Sequence, residues 1–153
     1  MKRVIALALL AASVVLVIVV NASAGHGDHH AGKTITVVEH ATTDAVTNGT
    51  SGDSAGNILT FANDVFNAAD THKVGTDQGS CVRTVVGHAF ECNWTTFLPK
   101  GQITVEGPFY DDDDSVLAIT GGTGKYRNAR GEMELNFHNP SGTKFDFVFH
   151  VIG

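Results

Sequence analysis

The chain has 153 residues, of which 17% are charged, and a formal net charge of −6 at pH 7. This length suits one domain with its own core rather than several domains. The acidic balance, with no basic cluster, argues against a role in binding nucleic acid or an anionic membrane surface.

The first 24 residues have the three parts of a secretory signal peptide. Lys2 and Arg3 make the start cationic, residues 4–20 are almost entirely apolar, and Ala-Ser-Ala at 22–24 fits a small-x-small cleavage site. Residues 1–24 are therefore predicted to be removed, which leaves a secreted, extracellular protein that has no further association with the membrane. The alternative is an uncleaved membrane anchor, for which the apolar run is at the short end.

Residues 25–32, GHGDHHAG, form a His-rich segment that we expect to be flexible, because it has no apolar periodicity. Its composition would allow weak binding of Zn or Cu, so extracellular metal binding is one alternative function. Nothing in the segment fixes a ligand geometry. No specific metal site and no cofactor are therefore predicted.

Residues 33–153 are predicted to form one all-β domain. β-branched and aromatic residues occur in short runs, separated by turn sequences such as PKG, DDDD, GGTG and NPSG. In the last run Phe145, Phe147 and Phe149 alternate with more polar residues, which puts them on one face of a strand. The predicted strands are residues 34–41, 57–63, 73–77, 80–86, 89–98, 102–106, 115–120, 132–138 and 144–152, and one helical turn fits residues 64–69.

These short strands have one apolar face each, and an open sheet of this size would leave its edges exposed. Closure into a small antiparallel β-barrel removes the edges. A barrel of about eight strands can hold one small ligand inside. The expected fold is therefore a small antiparallel β-barrel of eight or nine strands.

The chain has two cysteines, Cys81 and Cys92. In an exported protein, such a pair predicts one disulfide. The two residues flank a tight turn near Val86 and Gly87, and they would lie directly opposite each other if that turn has two residues.

A family resemblance is carried by the sequence SVLAITGGTG at residues 115–124, which is similar to a strand and turn of plant allene oxide cyclases. The continuation, with GGTGKYR at 121–127 and ARG at 129–131, resembles the GGTGKFR…ARG signature of dirigent proteins. Residues 101–107 and 144–151 extend the similarity. The resemblance implies an eight-stranded antiparallel barrel that binds a small hydrophobic ligand, and it suggests a homotrimer.

The cyclase resemblance also implies catalytic residues. Glu39 takes the place of a glutamate at the cavity floor, and Asn63 matches the asparagine of a Phe-x-Asn sequence. An outward-facing strand glutamate and a turn-forming asparagine are the respective alternatives. A water-holding asparagine of the cyclases is replaced by Ala41, which argues against the same reaction.

Three further positions are implied to lie in the ligand cavity. Phe61 begins the Phe-x-Asn sequence, Cys81 matches a cyclase cysteine, and Phe109 replaces a tyrosine without its hydroxyl. A disulfide to Cys92 would remove the thiol, so a free reactive Cys81 is the alternative.

The dirigent resemblance is partial in the same way. In sequence, Asp64 lies near the position of a second-strand aspartate in the dirigent cavity, and Arg130 matches the arginine of the Ala-Arg-Gly sequence. Arg130 is expected instead to pair with a surface carboxylate or to cap the GGTG turn.

Taken together, the sequence favours a secreted barrel that binds a small hydrophobic ligand and steers its cyclisation or coupling. If it is an enzyme, it is an isomerase or cyclase. The alternatives are a non-catalytic carrier or structural barrel, and metal binding through the His-rich segment.

Overall fold

The computed structural model describes residues 32–48 and 52–152. The predicted signal peptide and all but the last residue of the His-rich segment lie outside these residues. The described part of the chain forms ten strands and one short 3-10 turn, and it contains no helix that could cross a bilayer. The strands are β1 (Lys33–His40), β2 (Ala45–Asn48), β3 (Ile58–Phe61), β4 (Asp64–Asn67), β5 (Lys73–Val85), β6 (Ala89–Leu98), β7 (Gly101–Tyr110), β8 (Ser115–Gly122), β9 (Arg130–Phe137) and β10 (Lys144–Ile152); the 3-10 turn is Gly124–Tyr126.

Eight of these strands form a closed antiparallel barrel, as the sequence predicted. Their order around the barrel is β5-β4-β1-β10-β9-β8-β7-β6, and β6 pairs with β5 to close it. The strands β2 and β3 extend this barrel at one end, where β3 pairs with the second half of β5 and β2 pairs with β3.

The predicted helical turn over residues 64–69 is wrong, because Asp64–Asn67 is strand β4. The segment pairs with β1 on one side and with β5 on the other, and both ladders are antiparallel. Hydrogen bonds from two neighbouring strands therefore override a weak local preference.

The strands predicted at residues 73–77 and 80–86 are one continuous strand, β5. Two glycines of this strand serve close packing. A Cβ on Gly75 would lie 2.1 Å from the carbonyl oxygen of Phe97, and one on Gly79 would lie 2.3 Å from Cβ of Trp94. Glycine is needed here because β6 packs against these positions.

The core fills the interior of the barrel with side chains from the inward positions of the strands. The predicted alternation in β10 is confirmed, because Phe145, Phe147 and Phe149 are all at most 5% exposed. Full burial of each such side chain contributes about 1.5–3 kcal/mol. Other completely buried core residues are Val65, Ile103, Val105, Leu117 and Met133.

Candidate functional site

One end of the barrel opens into an apolar pocket of about 340 Å³, its open mouth included. Side chains from the interior of the barrel and from the β2–β3 extension line it. Glu39 and Asp44 are the charged residues of this lining. The others are Leu59, Phe61, Cys81, Cys92, Trp94, Phe109, Leu135, Phe145 and Phe147.

Five aromatic rings line the pocket and pack against one another. The Phe109 ring lies edge-on to Phe145 at 5.7 Å, and Phe61 lies edge-on to Trp94 at 5.9 Å. The Trp94 ring is also 5.5 Å from that of Phe147. Such edge-to-face contacts stabilise the arrangement and fix the shape of the wall. Phe61 and Phe109 therefore both line the pocket.

Glu39 points into the barrel and is only 5% exposed. Its strand position lies opposite Phe145 of β10 and Val65 of β4, so apolar side chains flank it on both sides. Glu39 is therefore not an outward-facing strand glutamate. The side-chain amide of Asn63 donates a hydrogen bond of 2.8 Å to Oε1 of Glu39.

Asn63 holds the segment after β1 against the barrel. Its Oδ1 accepts hydrogen bonds from the backbone N–H groups of Thr42 and Thr43, at 3.0 and 2.9 Å, and from the Thr43 hydroxyl. Its Nδ2 donates to Asp44 as well as to Glu39. The side chain is 1% exposed, so these bonds satisfy a polar group that burial would otherwise penalise.

Asp77 of β5 is a second carboxyl beside Glu39, and it is 1% exposed. Its Oδ1 accepts a hydrogen bond from the backbone N–H of Asn63 at 3.2 Å. The carboxyls of Asp77 and Glu39 lie close enough for a hydrogen bond to form between them. A contact between two carboxyls is favourable only when a proton lies between them.

The electrostatics of this carboxyl pair follow from its burial. Loss of solvation raises the pKa of Glu39 well above its ordinary value, and the nearby charge of Asp77 raises it further. Burial likewise raises the pKa of Asp77 to about 7. A neutral carboxylic acid is therefore available at the base of the pocket near neutral pH.

Asp77 and Asp44 were not identified in the sequence. Asp77 lies in the sequence VGTDQG at the end of a predicted strand, where the alternation of residues does not define which way its side chain faces. A continuous β5 would have placed it on the same face as Cys81, four residues later. Asp44 carries no such signal, because only the fold of the segment after β1 brings it to Asn63.

Cys81 and Cys92 form a disulfide at the pocket wall, so Cys81 is not a free thiol. The two residues are register partners in the β5–β6 hairpin. The turn between these strands has three residues rather than two. A bulge between Arg83 and Val85 absorbs the extra residue and keeps the cysteines opposite each other.

Neither residue implied by the dirigent resemblance lines the pocket. Asp64 forms a half-exposed ion pair with Lys73, at 2.5 Å. Arg130 donates to the backbone carbonyl of Ala129 at 2.7 Å, and it forms no ion pair with a carboxylate of the described residues.

Arg83 joins two loops through its ion pairs. Its guanidinium lies 3.6 Å from the centre of the Phe90 ring and donates to both carboxylate oxygens of Asp111, at 2.7 and 2.8 Å. Its Nε lies 2.7 Å from Asp53. The first residue of the DDDD sequence, Asp111, therefore has a structural contact.

Within residues 32–48 and 52–152, no three His, Cys, Asp or Glu side chains are arranged to hold a metal ion. The His-rich segment precedes these residues almost entirely.

Comparison with solved structures supports the barrel assignment. A pyocyanin demethylase is 27% identical to this chain with a TM-score of 0.64, and the match covers 76% of this chain and 100% of the demethylase. A pterocarpan synthase dirigent protein is 18% identical with a TM-score of 0.63, covering 82% and 99% of the two chains. An exo-specific intermolecular Diels-Alderase is 14% identical with a TM-score of 0.64, covering 80% and 98%.

The sequence itself matches one family profile, described as allene oxide cyclase, over residues 34–152. This match includes the whole barrel except Lys33, the first residue of β1. Glu39, Asn63 and Asp77 all lie within it. The chain therefore belongs to the allene oxide cyclase family.

Proposed function

We propose that the protein binds a small, largely apolar molecule in the barrel pocket and catalyses its isomerisation or cyclisation, with protonated Glu39 as the general acid. The observation that carries this proposal is a buried carboxyl pair at the base of a pocket lined by aromatic rings. Family membership and the similarity to ligand-converting barrels support it.

The pocket lining supports an apolar ligand. Phe61, Trp94, Phe109 and Phe147 offer ring faces and edges, which favour planar or polyunsaturated molecules through stacking and dispersion. Glu39 would then meet the polar atom of the ligand. A single acid among apolar walls orients a ligand as well as reacting with it.

The proposed reaction moves a proton and needs no oxidant. A neutral Glu39 would donate its proton to an oxygen or nitrogen of the ligand, which makes the adjacent carbon skeleton electron-poor and opens a route to ring closure or double-bond migration. The resulting carboxylate would take a proton back from the product. General acid catalysis of this kind accelerates a reaction by about 10²–10⁴-fold.

The substrate need not be an allene oxide. Ala41 and Phe109 stand where the cyclases have an asparagine and a tyrosine, so two polar groups are missing. Pyocyanin and phenolic compounds belong on the same test panel, because a pyocyanin demethylase and a dirigent protein share this barrel.

The test compares wild type with Glu39→Gln on three probes: an allene oxide generated from a fatty-acid hydroperoxide, pyocyanin, and a phenoxy-radical precursor with an added oxidase. Binding is measured by calorimetry and conversion by chromatography on a chiral column. We expect Glu39→Gln to bind within a few-fold of wild type and to lose about 10²-fold or more in rate, since only the proton is removed.

Glu106→Gln is the matched control, because Glu106 is an exposed glutamate on β7. It should convert the probes at the wild-type rate. Equal rates for wild type and Glu39→Gln would refute the catalytic proposal. Binding without conversion by wild type would favour the carrier alternative, which the two missing polar groups make the second candidate.

We further propose that the protein is exported through the segment at residues 1–24. The Cys81–Cys92 disulfide supports this, because such bonds persist in oxidising compartments. Native mass spectrometry of protein collected from a culture medium would report cleavage after residue 24, the disulfide and any trimer together. Retention of the uncleaved chain in a membrane fraction would contradict the proposal.

A further inference from the structure

The carboxyl pair has fewer hydrogen-bond donors than its oxygens require. Asn63 supplies one side-chain N–H to Glu39 and one backbone N–H to Asp77. The Oδ2 atom of Asp77 is buried and accepts no hydrogen bond from an N–H or hydroxyl group of the described residues. Thr96 is the register partner of Asp77, but its buried hydroxyl makes no hydrogen bond to it.

Charge does not compensate for this shortage. The charged groups facing the pair from the packed elements are Asp44, in the segment after β1, and Asp64 on β4, and both are acidic. Asp64 is paired with Lys73 at a half-exposed position. Among the described residues, no Lys, Arg or His forms an ion pair with Glu39 or Asp77.

We propose that Asp77 is a positioning residue that shares one proton with Glu39, so that Glu39 presents a hydrogen-bond donor to the pocket and the site selects neutral ligands carrying an acceptor atom. The acceptor would be a carbonyl, an epoxide or a ring heteroatom. The assignment of Glu39 as the group that meets the ligand rests on the proposed function.

The two carboxyls have different positions relative to the pocket. Glu39 belongs to the pocket lining, whereas Asp77 is not part of that lining and lies next to Asn63 and Glu39. Asp77 is therefore placed to act through Glu39 rather than on the ligand. An anionic group beside Glu39 would meet acidic side chains, so ligands that present a carboxylate to this end of the pocket are disfavoured.

The first test needs no ligand. In protein labelled with ¹³C at side-chain carboxyls, the Glu39 resonance is followed by NMR against pH in wild type and in Asp77→Asn. The asparagine introduced by this substitution can still accept the backbone hydrogen bond of Asn63 through its Oδ1, so the fold should be retained. We expect Glu39 to titrate at clearly lower pH in Asp77→Asn, because the shared proton is lost.

Asp113→Asn is the matched control, since Asp113 is exposed on the β7–β8 loop. It should leave the Glu39 titration unchanged. An Asp77→Asn protein whose Glu39 titrates as in wild type would overturn the proposal. If Asp77→Asn does not fold, the wild-type curve decides: Glu39 and Asp77 titrating together in two linked steps supports sharing, and independent single steps contradict it.

The second test uses three bicyclic probes of equal ring size: 1-tetralone, tetralin and tetralin-1-carboxylate. Affinities are measured at pH 6 by calorimetry. The ratio of tetralone to tetralin affinity should fall by about five- to tenfold in Asp77→Asn, the value of one hydrogen bond to a neutral acceptor. Glu39→Gln should keep the ratio, because the glutamine amide is also a donor, and tetralin-1-carboxylate should bind weakest to wild type.

The two tests separate this inference from the proposed function. If the bicyclic probes do not bind but the carboxyls titrate as a pair, binding in the pocket fails and proton sharing stands. If the probes bind and Glu39 titrates alone, the positioning role of Asp77 is wrong and ligand binding stands. An unchanged affinity ratio in Asp77→Asn would refute the selection of acceptor-bearing ligands.

Discussion

Asn63 and Asn67 make similar hydrogen bonds at two depths of the molecule. Each accepts from two backbone N–H groups, Thr42 and Thr43 for Asn63, and Thr71 and His72 for Asn67. Asn63 is 1% exposed, whereas the bonds of Asn67 lie at the surface. Asn63 should therefore contribute more to the free energy of unfolding than Asn67, because water can replace a donor or acceptor only at the surface.

Replacement of Asn63 by alanine should lower the free energy of unfolding by about 2–4 kcal/mol, since several buried groups lose their partner. Asn67→Ala, the matched control, should cost about 1 kcal/mol, because solvent reaches its partners. Urea denaturation followed by far-UV circular dichroism measures both. Equal losses for the two variants would show that Asn63 is not the anchor of the segment after β1.

Among the strands and turns, the GGTG sequence forms the end of β8 and the start of the 3-10 turn. Gly124 has a φ of +58°, in the left-handed region that favours glycine. A Cβ on Gly122 would lie 2.4 Å from the carbonyl oxygen of Tyr126, whereas one on Gly121 would meet nothing within 4 Å. The motif therefore serves the packing of the barrel, and glycine is required at position 122 but not at position 121.

Alanine at these two neighbouring positions should have different consequences. Gly122→Ala should destabilise the protein by about 2 kcal/mol or more, because backbone atoms must move to admit the methyl group. Gly121→Ala should change stability by about 0.5 kcal/mol or less, since it has free space and an ordinary backbone conformation. Thermal unfolding distinguishes the two, and similar melting temperatures would contradict this account of the turn.

For the protein as a whole, the buried acids link stability to pH. The pKa of Asp77 is raised by burial to about 7, so the folded protein holds this proton more tightly than the unfolded chain does. Stability from this group is complete below the ordinary pKa of an aspartate and is lost as the pH rises through about 7. Asp70 acts in the opposite range, because its hydrogen bonds with Lys144 and His40 lower its pKa, and its contribution is lost on acidification.

The free energy of unfolding should therefore fall between about pH 5 and pH 7.5, with a change on the order of 2 kcal/mol from Asp77. Asp77→Asn should show a flatter dependence over the same range, since its side chain does not titrate. Urea titrations at constant ionic strength measure both curves. A wild-type protein that is equally or more stable at the upper end of this range would contradict the protonated state assigned to the carboxyl pair.

Local patterns in the sequence were enough to establish the all-β barrel and the inward row of Phe145, Phe147 and Phe149. These features depend on the two-residue period of a strand, which is visible within a few consecutive residues. Family resemblance directed attention to Glu39 and Asn63, and the cysteine spacing predicted the pairing of Cys81 with Cys92.

The surroundings of Glu39, in contrast, depend on how distant parts of the chain pack together. Asp44 and Asp77 lie in different segments, and no local pattern relates either of them to Glu39. Asp77 faces inward because β5 is one continuous strand. β6 can pack against this strand because Gly75 and Gly79 have no side chains. Solvation and proton sharing depend on such long-range packing, so the chemistry of the carboxyl pair could not be read from the order of residues.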